Sequence, residues 1–337
     1  MVPSLIFTGQ HPALDGADFG LDGLPQIQLN CAGQEDPHSH VRAVTSALLL
    51  LLDERPDMLI VQGDTSSALG AALAGFTSRV PVAHVEAGLR THDPRLPWPE
   101  EEYRTAIDAN ASLLFAPTEL AADNLRAERV PGEIYVTGNT GIDVLMEVEA
   151  RLPGSSVRER ASPQILVTCH RRESWGEGLV SIAAAVRQLG RMAEVDFVLH
   201  PNGFVAANMR KLLGDAAGVR LVEPCSHQEL ICRMREADLV LSDSGGIQEE
   251  APALGVPLLV LRDKTERPEG ISAGAARLVG IDSVRIVTEV RRLLDNPAER
   301  LAMARRTFPF GDGRAAGRIA AIIARWLKQS SPARRRG

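Results

Sequence analysis

The chain has little cysteine and sets it in no pattern. Cys31, Cys169, Cys225 and Cys232 are four thiols in 337 residues. Their spacing matches neither a zinc site nor a redox pair, and scattered thiols of this kind imply a reducing cytoplasm. Long apolar runs are absent too. "SALLLLLDERPD" is too short to span a bilayer and its charges follow at once, so it reads as a buried helix. The opening "MVPSLIFTGQH" has no basic n-region and no cleavage site, which argues against an export signal. Nor is there a surplus of positive charge: 37 Lys and Arg face 43 Asp and Glu, a net charge of −6. That balance disfavours a nucleic acid or an anionic membrane as partner. The terminal "PARRRG" reads as a solvated tail, and His38 and His40 in "EDPHSH" read as part of a solvated turn. No metal-ligand cluster, short-period repeat or low-complexity segment is visible.

What is present is an ordinary globular composition, 45% apolar and 24% charged. The length suits about two domains of roughly 150 residues each. Short apolar runs recur along the chain: "SLIF", "DMLIVQGD", "VPVAHVE", "SLLFAPT", "EIYVTGN", "QILVTCH", "DFVLHP", "VRLVEP", "ADLVLSDS", "PLLVLRD" and "ARLVG". Each is continuous rather than alternating, as expected of strands buried on both faces of a parallel sheet. Helical stretches such as "TSSALGAALAGFTSR" and "EGLVSIAAAVRQLGRM" lie between them, so the class is doubly wound α/β. The pattern occurs twice, on either side of "LPGSSVRERASPQ", which carries Pro, Gly and Ser and no apolar run. We therefore expect one Rossmann-like domain over residues 1–153 and a second over 154–310. Ligands of such folds bind at the carboxyl ends of the strands, here in a cleft between the two domains.

The polar residues follow that rule. Asp64, Glu86, His170, His200, Ser244 and Asp263 each end or follow an apolar run. "QGDTSSALGAAL" turns from strand to helix through Asp64 and Thr65, and simple helix capping explains it as well as a site does. Glu86 is harder to dismiss, because a carboxylate ending the buried run "VPVAHV" needs a partner or a role. Arg90 and Arg104 are candidate partners, and Pro97 and Pro99 stiffen the loop that delivers Glu100. A structural ion-pair network is the competing reading. "CHRRES" places His170, Arg171 and Arg172 where a phosphate would be grasped. In "SDSGGIQEE", Ser244, Gly245 and Gly246 let backbone approach a ligand, and the amides of the following helix point at it. Glu250 is set to accept from a ribose diol, whereas Glu249 is expected to face solvent or pair with an arginine. Arg262, Glu266 and Arg267 come from the next strand end. The sum describes a nucleotide diphosphate site.

"QGDTSSALGAALAGF", "VAHVEAGLRTHDPRLPWPEEEYR", "APTELAADNL", "VTGNTGIDVL", "VTCHRRES", "LHPN" and "LSDSGGIQEEAPALGVPLLVLRDKTERPEG" together resemble the UDP-N-acetylglucosamine 2-epimerase family of non-hydrolysing type. The likeness runs in order from about residue 5 to 327. It implies the GT-B fold, two Rossmann-like domains with a last helix, here "GRAAGRIAAIIARWL" within 311–330, returning to the first. It also implies reversible conversion of UDP-GlcNAc to UDP-ManNAc without a cofactor. UDP is eliminated across C1–C2 to give 2-acetamidoglucal and is then added back, in service of cell-surface polysaccharide synthesis. By motif position the catalytic residues are Asp64, Glu86, Glu100 and His170, with Arg104 orienting Glu100. Arg171, His200, Ser244, Gly245, Gly246, Glu250, Arg262 and Arg267 match substrate-binding positions. A cytoplasmic homodimer is implied as well.

Departures from the family qualify these expectations. Members begin with a strand and a phosphate-side loop of the type Gly-Thr-Arg-Pro-Glu, and this chain starts after them. By that likeness one strand–helix unit, on the order of thirty residues, is expected to be missing: either the start is assigned too late, the favoured reading, or the first domain lacks a central strand. Gln10, His11 and Arg42 match a segment that binds an activating second substrate molecule in many bacterial members. Ala13 stands where a second glutamine is common, which weakens that regulatory reading. Ser174 replaces the usual Asn of "HRRES", and Gly203 varies a proline-rich turn. Three alternatives compete: a hydrolysing epimerase that releases UDP and ManNAc, a GT-B glycosyltransferase, and a nucleotide-sugar-binding pseudoenzyme.

Overall fold

A computed structural model describes residues 2–10, 14, 16–34, 36–52, 56–153, 162–169 and 176–330. It divides into two compact units, residues 1–139 with 314–337, and residues 140–313.

The first unit runs β1 (Leu5–Phe7), β2 (Gln26–Gln28), α1 (Pro37–Leu51), β3 (Leu59–Gln62), α2 (Ser66–Ser78), β4 (Val82–Val85), α3 (Glu100–Asp108), β5 (Leu113–Ala116), α4 (Glu119–Glu128) and β6 (Glu133–Val136). β3, β4, β5 and β6 form a parallel sheet in that order, and β1 pairs with β2 in a separate parallel pair. β4 and β5 are buried at every position, which is why each appears in sequence as an unbroken run. β2 was not foreseen: all three of its residues are exposed and two are glutamine, so no apolar signal marks it. Ile319 and Ile323 of the last helix, α13 (Ala315–Ser330), pack on Ala83, Val85, Leu113 and Phe115 of this sheet.

Two expectations about α1 need correction. It is half-buried: Val41, Val44 and Leu48 face the core, while Leu50 is 79% exposed, since the apolar stretch exceeds the one face that meets α2. His38 and His40 are helical rather than in a solvated turn, because Asp36 caps the helix by accepting from the amides of His38 and Ser39. His40 is buried, with Nδ1 2.7 Å from Ser66 Oγ and Nε2 3.0 Å from the Cys31 carbonyl oxygen.

The second unit comprises α5 (Thr140–Arg151), β7 (Gln164–Thr168), α6 (Glu177–Leu189), β8 (Glu194–Val198), α7 (Gly203–Leu213), β9 (Val219–Val222), α8 (His227–Glu236), β10 (Leu239–Ser242), α9 (Gly245–Leu254), β11 (Leu258–Val260), α10 (Glu269–Ser272), β12 (Ala276–Leu278), α11 (Ser283–Asp295) and α12 (Pro297–Met303). Its six parallel strands lie in the order β12-β11-β10-β7-β8-β9. The order reverses where β7 meets β10, and at such a switch point the loops diverge and leave a crevice. Both α/β units fit the GT-B class of fold. Among the described residues no helix is long and apolar enough to cross a membrane.

Candidate functional site

In the first unit the chemistry gathers after β3 and β4 and at the start of α3. Gly63 turns the chain at φ +68°, a conformation glycine adopts freely, and Asp64 follows. Glu86, immediately after β4, is held at φ 72°, which costs a residue with a Cβ about 1–2 kcal/mol. The turn persists because the amides of Glu86 and Ala87 both donate to the Phe115 carbonyl at 3.1 Å. A methyl placed on Gly63 would stand 3.6 Å from Glu86 Oε2, so the Glu86 carboxylate lies against the turn that delivers Asp64.

Glu100 opens α3, and its Oε2 is buried with no hydrogen-bond partner among the described residues. A buried carboxylate oxygen left unbonded costs free energy, and such atoms persist where a ligand or a proton completes them. The next residue behaves differently. Glu101 accepts from the amides of Thr91 and His92 at 2.9 Å and pairs with Arg104 at 3.0 Å, so it braces the loop. Tyr103, one turn into α3, is buried, and its hydroxyl too has no partner among the described residues. Burial first, then the charges of Glu102, Asp36 and Glu100, push its phenol up to about 12, which keeps it a neutral donor.

Two assignments from sequence change here. Arg104 was expected to orient Glu100, yet its bonds run to Asp64, with Nε 3.0 Å from Oδ2, and to Glu101. Arg90, a candidate partner of Glu86, turns to Glu128 at 2.7 Å and Asp108 at 2.8 Å. Both pairs join elements far apart in sequence, Arg104 to Asp64 across 40 residues and Arg90 to Glu128 across 38, so no local spacing discloses them. Gln10 Oε1 accepts from Ser67 Oγ at 2.6 Å, while Arg42 is exposed and bonds Ser39 Oγ at 2.7 Å. His11, the third of that proposed set, lies outside the described residues.

In the second unit, β10 leads into the buried Asp243, to which the thiol of Cys169, the residue after β7, donates across 3.4 Å. Ser244 then caps α9 without a side-chain hydrogen bond, so the first-turn amides are left for something else. A Cβ on Gly245 would meet Arg267 Nη1 at 2.8 Å, whereas one on Gly246 would meet nothing within 4 Å among the described residues. Arg267 has no freedom to yield, because its Nε donates to Glu249 at 2.6 Å and its Nη1 to Glu266, which also pairs with Arg262 at 2.9 Å. Glu249 therefore pairs with an arginine, one of the two placements expected of it. Gly245→Ala is accordingly expected to cost about 1–3 kcal/mol of stability through overpacking. Gly246→Ala should stay within about 0.5 kcal/mol. Thermal unfolding of the two variants measures the contrast.

Glu250 is buried and accepts from His227 Nε2 at 2.7 Å. That bond raises the imidazole's pKa against the opposing effect of its partial burial. His227 escaped sequence reasoning, since its partner lies 23 residues away and no local pattern joins them. His200 follows β8 and accepts the Asn202 amide at 2.9 Å through Nδ1, which orients its ring. His170 and Arg171 lie outside the described residues.

The UDP-N-acetylglucosamine 2-epimerase family profile matches residues 2–324. A Salmonella typhimurium UDP-N-acetylglucosamine 2-epimerase is 44% identical over 285 residues, 80% of this chain and 76% of that protein. The crystal structure of the Neisseria meningitidis UDP-GlcNAc 2-epimerase bound to UDP-GlcNAc superposes with a TM-score of 0.85 at 31% identity, covering 96% of this chain and 99% of that one. The Methanocaldococcus jannaschii enzyme in complex with UDP-GlcNAc and UDP gives a TM-score of 0.82 at 29% identity, over 95% and 99%.

Proposed function

The chain belongs to the UDP-N-acetylglucosamine 2-epimerase family, and from that premise we propose that it interconverts UDP-GlcNAc and UDP-ManNAc by elimination and re-addition of UDP. The C2 proton is not adjacent to a carbonyl, so direct deprotonation would give an unstabilised carbanion. Elimination avoids it. A base takes the C2 proton, the C1–oxygen bond breaks, its electrons leave with UDP, and a C1–C2 double bond remains. Returning the proton to the opposite face while the diphosphate attacks C1 inverts C2. The route needs a base, an acid and support for the leaving diphosphate.

The observation that carries this reading is the acid set of the first unit. Asp64 and Glu86 share adjacent strand ends, and Glu100 keeps a buried, unbonded oxygen. We assign proton transfer to these three carboxylates. The diphosphate goes to the amides after Ser244, supported by His170 and Arg171 of the preceding strand end. His200, Glu250, Arg262 and Arg267 complete the nucleotide-binding set, the last two by fixing the wall behind Gly245. A homodimer and a role in supplying polysaccharide synthesis belong to the same reading.

Incubation with UDP-GlcNAc in D2O is the test. Proton NMR should show deuterium entering C2 while UDP stays attached to the sugar, in both epimers. Free ManNAc accumulating with UDP would replace the proposal with hydrolysis, and unchanged substrate would remove it.

A further inference from the structure

One buried charged chain underlies both catalytic turns, and the reaction scheme above gives it no task. His84, in the middle of β4, has no exposed surface. Its Nδ1 lies 2.6 Å from Asp108 Oδ1, and its Nε2 lies 2.9 Å from the carbonyl oxygen of Gly63. Both neighbours are acceptors. A neutral imidazole has one N–H and one lone pair, so one of these contacts would set a lone pair against an oxygen. Only the imidazolium satisfies both.

The proton belongs on the ring rather than on Asp108. Asp108 Oδ2 faces Arg90 Nη1 at 2.8 Å and the Gly88 amide at 3.1 Å, and both favour the carboxylate. Arg90 in turn pairs with Glu128, so the row His84, Asp108, Arg90, Glu128 alternates in sign and sums to zero when the imidazole is charged. The ends of the row matter more than its middle. Gly63 immediately precedes Asp64, and Gly88 closes the turn that starts at Glu86.

We propose that His84 is a positioning residue, an imidazolium through the whole cycle, that clasps the Asp64 turn through Gly63 and, by way of Asp108, the Glu86 turn through Gly88. The clasp fixes the spacing of the two carboxylates and places a constant positive charge beneath Glu86, favouring its ionised, proton-accepting form. It rests on the reading of Asp64 and Glu86 as the reacting acids. The charged groups that bear on the ring are Asp108 from α3, Glu86 from its own strand end, and Arg90 behind Asp108. Burial lowers the pKa of the ring, but Asp108, the Gly63 carbonyl and Glu86 together outweigh it, and the net direction is upward.

Nitrogen-15 NMR of histidine-labelled full-length protein, with the His84 signals assigned by their loss in His84→Gln, reads the protonation state without reference to activity. Both ring nitrogens should carry protons at pH 7 and at pH 8. A neutral tautomer at pH 7 overturns the clasp. In turnover, His84→Gln keeps a donor toward Gly63 but removes the charge, and His84→Asn keeps a donor toward Asp108 but frees Gly63. Each should lower kcat roughly tenfold to a hundredfold by misplacing a carboxylate. KM should stay within about twofold, as for a loss felt only in the transition state. In both variants the acidic limb of the kcat profile should move to higher pH. A merely structural histidine would lower the folded fraction and leave the profile of the remaining enzyme unmoved, and that result also overturns the proposal. Wild-type protein inert toward UDP-GlcNAc would defeat the functional reading, and the ring nitrogens would then decide the clasp alone.

Discussion

Glu100→Gln is expected to lower kcat by roughly 10²- to 10⁴-fold, the range for removing a general acid or base, with little change in stability. The second half of that expectation is the informative one. Glu100 Oε2 is buried without a hydrogen bond, so the folded protein gains nothing from its charge there and bears part of its desolvation. Against that stands only the favourable interaction of a first-turn carboxylate with the α3 dipole, about 0.3–1 kcal/mol. The two nearly cancel, and thermal unfolding should place the variant within a few degrees of wild type. Glu101→Gln should do the reverse. Its carboxylate accepts two loop amides and the Arg104 guanidinium, and an amide nitrogen turned toward either set leaves buried donors facing one another. A loss of about 1–3 kcal/mol is expected, with turnover reduced through the displaced loop. If Glu100→Gln unfolds the protein while Glu101→Gln spares it, the roles assigned to this pair are exchanged.

That contrast marks the limit of what the sequence discloses. "WPEEEYR" shows three successive glutamates with nothing local to separate them, because their partners, Thr91, His92 and Arg104, are set by the path of the loop. Strands were legible for a physical reason: β4, β5 and β10 are buried on both faces and must be continuously apolar, whereas β2 is exposed and leaves no trace. The Gly245–Gly246 junction was legible because backbone approach and helix amides are properties of the local chain. Long-range pairs were not. Arg104 was read toward Glu100, its neighbour in sequence, and meets Asp64 from 40 residues away. His84 sat inside a recognised strand, where a lone polar residue suggests only a satisfied core group. Its meaning depends on Asp108, 24 positions on, and on a carbonyl 21 positions back.

Asp108→Ala should be the most destabilising single change in the first unit. It removes the anion shared by a buried imidazolium and a buried guanidinium, and breaking such a pair from one side costs about 3–5 kcal/mol. For a unit of this size that is a fall in Tm of about 10 °C. The pH dependence has a definite sign on each side. Burial raises the Asp108 pKa, but His84 and Arg90 outweigh it, so the folded value is depressed. Its contribution is present above the unfolded carboxylate value of 3.8 and is lost as pH falls through the folded one. His84 is raised, so its share is complete below the unfolded value of 6.5 and fades as pH climbs through the folded value. The interval between 3.8 and 6.5 is therefore where wild type should exceed Asp108→Ala by most. Denaturant unfolding of both proteins across pH gives the difference directly. A gap that is flat from acid to alkaline pH would mean that packing, rather than the charged row, makes Asp108 matter. A gap that narrows at both ends locates the cost in the ion pairs, and with it the rigidity on which Asp64 and Glu86 depend.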